Sequence, residues 1–168
     1  DEVLKKDTCK YAYIYNPAAE SGMNRVYGVN DTIEGSSVVI VDSQVRLSSD
    51  SVANQTEDML TANPDLDFMF AGNDPFGLVM AGAIDAMGKA DQVYVMGVDG
   101  APDGKQGIVD GVLAGTAAQS PASMAHLSVE WALQYLTECK RDFPDTYAMD
   151  TTMITLENID QYELDTWQ

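Results

Sequence analysis

DFMFAGNDPFGLVMAGAIDAMGKADQVYVMGVDG, residues 67–100, decides the fold. Its first apolar run, 68–71, is short, as a buried strand is. Asn73, Asp74 and Pro75 follow, and Asp74-Pro75 reads as a helix start, a cap with proline in the first turn. The apolar stretch after it runs to Met87, and Gly88 supplies the glycine that closes helices. A second apolar run, 94–98, then ends at Asp99-Gly100. Strand, helix, strand at this spacing is a βαβ unit, and a crossover through a helix returns the second strand parallel to the first.

The same alternation extends in both directions. Upstream, 11–15 and 38–41 read as strands, the second with three valines among its four residues. Residues 21–33 read as a helix stopped by Gly35, and a helix capped by Ser49 or Asp50 runs to Ala62, where Asn63-Pro64 ends it. Downstream, 104–110 is a short helix and 113–118 a fifth strand. The strands are continuous apolar runs rather than alternating ones, as expected when helices cover both faces. The fold class is therefore α/β, with a doubly wound parallel sheet. The last quarter departs from this rhythm, with a long helix at 121–139, a polar turn at 140–145, a strand at 147–156 and an acidic, irregular tail at 157–168.

Composition narrows the function. The chain has 168 residues, enough for one domain with a real core, and a formal net charge of -18. That charge repels nucleic-acid backbones and anionic membranes, and argues against both as partners. Two cysteines, Cys9 and Cys139, are too few for a disulfide scaffold, and their spacing leaves a bridge open without arguing for one. The sequons at 30–32 and 54–56 are short matches with a high chance rate.

Catalytic chemistry finds no foothold. The sole histidine, His126, falls on the polar stripe Ser123, His126, Glu130, Gln134 of its helix and reads as solvated. Neither cysteine has a neighbouring base. No phosphate-binding glycine loop of either common kind is present. Asp99, Asp103 and Asp110 lack the spacing of a calcium loop, and Asp65/Asp67 read as turn residues. Met59, Met69, Met80 and Met87 fall in helix or strand patterns and read as core. The chain is therefore expected to be no enzyme and to carry no cofactor or metal.

In open parallel sheets, ligands sit outside the carboxyl ends of the strands. Those positions hold Asn16 and then Arg25, Asn73-Asp74, Asp99-Gly100, and Gln119. Planar polar side chains of both signs suit a polyol, whose hydroxyls both donate and accept. Asn, Asp and Gly also favour such turns for local reasons, so single positions carry little weight.

Three stretches, MLTANPDLDFMFAGND (59–74), VYVMGVDGAPDGKQGIVDGVLAGTAAQSP (93–121) and TLENIDQY (155–162), resemble the type I periplasmic-binding-protein family, in particular its ribose- and galactose-binding class. RVYGV (25–29) is similar to the arginine-bearing helix start of that family. The resemblance implies a ligand site at Arg25, Asn73, Asp99 and Gln119. It implies a sugar or sugar-like ligand, an ABC importer permease as partner, and an extracytoplasmic location. Where the family usually places an aromatic ring for stacking on a sugar face, about 14 residues before Thr61, this chain has Leu47, so a simple pyranose is not the expected ligand. Val79 stands where a small residue is common.

Family members have two lobes around a cleft. The resemblance implies that residues 1–120 are the C-terminal lobe without its first helix, with 1–6 as that helix's remnant. Residues 121–168 are then the crossover helix, strand and tail that would contact the N-terminal lobe. Repressors of the lactose-repressor type and membrane sensor or chemoreceptor domains share such a lobe and are the alternatives. The helix at 121–139 carries two apolar lines: Met124, Leu127, Trp131, Tyr135, and Ala125, Val129, Ala132, Leu133, Leu136. An arc that wide belongs to a covered helix. It is expected to dock on a second copy of the chain, giving a homodimer, or back on its own sheet.

Overall fold

The computed structural model describes residues 7–167, and residues 1–6, with the helix remnant expected there, lie outside the described set. Six strands form one sheet in the order β2-β1-β3-β4-β5-β6: β1 Cys9–Tyr15, β2 Val38–Val45, β3 Phe68–Ala71, β4 Tyr94–Asp99, β5 Gly115–Ala118 and β6 Thr152–Thr155. β1 to β5 pair in parallel, as the crossovers require, and β6 joins the edge antiparallel to β5. The helices are α1 Glu20–Ile33, α2 Val52–Ala62, α3 Asp74–Ala86, α4 Pro102–Val109 and α5 Pro121–Thr137.

Alternation along β1 explains how both faces are used. Ala12 and Ile14 point into the larger core with Met59, Leu60, Met69, Met80, Ile84 and Ile108, contributed by α2, β3, α3 and α4. Tyr11 and Tyr13 point the other way and pack with Val26 of α1. Helices on both faces are the doubly wound arrangement expected. Burial of the large core side chains contributes about 1.5–3 kcal/mol each.

Several boundaries move, each for a local reason. The cap of α3 is Asn73, not Asp74: its extended backbone lets the side-chain oxygen accept from the Phe76 amide at 3.0 Å, while Asp74 is already helical. Gly88 does close that helix, at φ 68°. Met87 stands at the helix end and is exposed rather than core, unlike the fully buried Met59, Met69 and Met80. β2 runs on through polar Asp42, Ser43 and Gln44 to Val45, because ladder pairing with β1 holds those residues as well as the apolar ones. β6 is shorter than the predicted 147–156, since only four residues reach β5.

The tail is more ordered than expected. A 3-10 turn at Ile159–Gln161 brings Ile159 and Tyr162 against the larger core. Lys105, fully buried on α4, donates through Nζ to the carbonyls of Glu163 and Thr166. Burial pushes the Lys105 pKa down, and the carboxylates of Asp165 and Glu163 act against that.

α5 does not fold back on its own sheet. None of its residues is buried, and Val129, Leu133 and Leu136 are 60%, 55% and 73% exposed. Trp131 instead stacks on Phe143 and meets Tyr147 edge-on, both from the segment after the helix. Cys9 and Cys139 are not joined in a disulfide.

Candidate functional site

Three of the four predicted site residues meet at the carboxyl ends of the strands. Arg25 reaches across from α1: Nη1 donates to the Gly72 carbonyl, and Nη2 lies 3.4 Å from Asp99 Oδ1. Gln119 Nε2 donates to the same oxygen at 2.6 Å, and its amide donates to the Asp99 carbonyl at 3.0 Å. Both of these side-chain contacts fall on Oδ1, and neither occupies Oδ2. The Asp99 and Arg25 side chains are only 21% and 25% exposed. Burial raises the Asp99 pKa, and Arg25 and Gln119 act against that. Asn73, the fourth, spends its oxygen on the α3 cap and keeps its amide group as a donor on the rim.

Asp99 takes φ 123° and Gly100 φ 70°, so this turn holds a non-glycine residue in a region that L side chains rarely adopt. What holds it is Asp74. The Asp74 side chain is fully buried beneath the turn: Oδ1 accepts from Thr116 Oγ1 at 2.6 Å and Oδ2 from the Ala101 amide at 2.8 Å. Thr116 Oγ1 in turn accepts from the Gly100 amide at 3.2 Å. Asp74 is thus not a rim residue; its carboxylate ties β4 to β5 from below. Glycines make room for it. A Cβ on Gly97 would stand 2.2 Å from Asp74 Oδ1, and one on Gly104 2.3 Å from Oδ2. Burial raises the Asp74 pKa, the Thr116 and Ala101 hydrogen bonds oppose it, and the Asp99 charge adds to the rise.

Asn16 has the local role that its residue type favours: its side chain accepts from the Ala18 amide at 3.1 Å in an Asx turn, and it borders the site without joining the Asp99 cluster. Leu47, where an aromatic ring was absent from the sequence, is 80% exposed. His126 is solvated on α5, 4.0 Å from Glu130.

Beside the cluster lies a cavity of about 180 Å³, lined among others by Asn16, Arg25, Arg46, Asn73 and Phe76. Arg46 sits with its guanidinium carbon 4.7 Å from the centre of the Phe76 ring. The sequence reading missed Arg46 because it ended the second strand at Val41. With β2 running to Val45, Arg46 is itself a strand-end residue.

Comparison with known proteins bears on the fold. A lobe with its polar cluster at the switch from strand to helix is the form of a binding protein. The model of the periplasmic binding protein domain matches residues 2–140, and the chain belongs to that family, in its type I, sugar-binding class. It is 44% identical over 79 residues to the ribose import binding protein of Salmonella typhimurium, across 47% of this chain and 26% of that protein. It is 32% identical over 117 residues to the D-ribose/D-allose-binding protein of Pseudomonas aeruginosa, across 69% and 37%. A periplasmic solute-binding protein of Actinobacillus succinogenes, solved with D-allose bound, superposes with a TM-score of 0.86 at 26% identity, over 96% of this chain and 56% of that one. The chain thus spans little more than half the length of that solved protein.

Proposed function

We propose that this chain is the ligand-gripping lobe of a solute-binding protein that delivers a sugar or sugar-like molecule to an ABC importer outside the cytoplasm. It works by binding alone, without catalysis or cofactor. The observation that carries this is the Arg25–Asp99–Gln119 cluster, preassembled at the strand ends with one carboxylate oxygen left to accept ligand hydroxyls. Preassembly lowers the ordering cost of binding. Asn73 adds an amide donor beside it.

Residues 121–168 then belong to the boundary with a second lobe. A cavity of about 360 Å³ opens between the start of α5 and 147–151, lined by Gln119, Leu127, Trp131, Tyr147 and Met149. A second lobe of the same protein is its occupant, which fits a chain that spans 56% of a matching solved protein. Calorimetry on the protein carrying both lobes, with ribose, allose, arabinose and myo-inositol as the first neutral ligands, tests the function. Heats absent for every sugar and sugar acid at millimolar concentration would end this proposal.

A further inference from the structure

The cavity beside the cluster has a composition at odds with the rest of the molecule. The chain carries 27 acidic residues against 9 Lys and Arg, yet the cavity is lined by two arginines and no carboxylate. The ion pairs among the described residues engage Lys10, Arg25 and His126, and none engages Arg46. Its guanidinium lies over the Phe76 ring. A guanidinium laid on an aromatic face is held by that face and keeps its N–H edge free, a fork that suits a carboxylate. The neighbouring Asn73 amide is a further donor, since its oxygen is taken by the Phe76 amide.

A neutral polyol needs no net charge beside it, whereas the only ionised side chains lining this cavity are the two arginines. An anion supplies acceptor oxygens only. The net charge of -18 cannot attract such a ligand from a distance, so any preference for it must be local. We propose that the ligand is a sugar acid, whose carboxylate is taken by Arg46 in this cavity while its hydroxyls meet Asp99 and Gln119. This rests on the sugar-binding function proposed above. It also gives the exposed Leu47, next in sequence, a context: the ligand is held on this side by charge instead of ring stacking.

The experiment is calorimetry on the protein with both lobes, using D-galacturonate and D-glucuronate against D-galactose and D-glucose. Each pair differs at one carbon, carboxylate against hydroxymethyl. The acids are expected to bind at least about tenfold tighter than their neutral partners, with Arg46→Met abolishing that preference and Arg46→Lys restoring part of it. Equal or tighter binding of the neutral sugars overturns the sugar-acid proposal and leaves the sugar-binding function standing. Acid preference unchanged in Arg46→Met, with the variant's thermal midpoint unaltered, overturns the role of Arg46. Binding of neither class overturns the sugar-acid proposal, and the sugar-binding function stands or falls separately on ribose, allose, arabinose and myo-inositol.

Discussion

At Asp99, function and backbone conformation meet in one side chain. Its Oδ1 is held by Arg25 and Gln119, so a ligand bound as proposed would meet an acceptor already fixed in place. Asp99→Ala leaves those two donors and the ligand's hydroxyls without a partner. Ligand binding to the protein with both lobes should weaken by about 2 kcal/mol or more. Calorimetry with the cognate ligand checks this, and an unchanged affinity would remove Asp99 from the site. Asp74, directly beneath, calls for a different experiment. Its pKa is raised by burial above the ordinary carboxylate value, so the folded state favours the protonated form. That contribution to stability is present below the ordinary value and is lost as pH rises through the raised one. Asparagine at 74 does not titrate. The stability advantage of the natural chain over Asp74→Asn should therefore be largest near about pH 4 and shrink toward neutrality. Urea unfolding of both proteins at several pH values measures it; an advantage that grows with pH would show a carboxylate stabilised as its anion.

Among the elements, α5 is the one whose local sequence and surroundings disagree. Its apolar arc promises cover, yet none of its residues is buried, and Trp131 meets Phe143 and Tyr147. Exposed apolar area of this size seeks a partner. In the proposed protein with both lobes, the second lobe is the expected partner. In this chain by itself, a second copy is the available substitute, with Trp131 near the centre of the contact, where aromatic anchors tend to dominate. Light scattering should find the isolated chain self-associated, and Trp131→Glu should shift it toward monomer. A monomeric chain unaffected by that substitution would remove the copy-to-copy contact.

For the whole molecule, the relevant quantity is how much of a ligand one lobe can surround. A cluster on an open rim exchanges water hydrogen bonds for protein ones with little net gain, because the ligand stays hydrated on its other side. The isolated chain is accordingly expected to bind any sugar or sugar acid in the millimolar range or weaker, while the protein with both lobes binds far tighter. Titration of this chain followed by NMR checks it, and sub-micromolar binding would show that a second lobe is dispensable.

The sequence by itself determined the sheet. Apolar runs separated by helical stretches leave parallel crossovers as the sterically economical solution, and all five runs from 11 to 118 pair that way. It also determined that Asn73, Asp99 and Gln119 follow strand ends, because that depends only on where apolar runs stop, while Arg25 reaches the same rim from α1. Tertiary structure alone decided which polar groups stand on the rim and which face the core. Asn73 and Asp74 are adjacent and chemically alike in sequence, yet one caps a helix on the rim and the other is buried under β4 and β5. That choice depends on Thr116 and Ala101, which lie 42 and 27 residues away along the chain. The end of β2 was hidden for the same reason. Polar residues at 42–44 look like a loop until pairing with β1 extends the strand, and only then does Arg46 stand at its end. Local pattern records burial and turn chemistry; partners distant in sequence are chosen by packing.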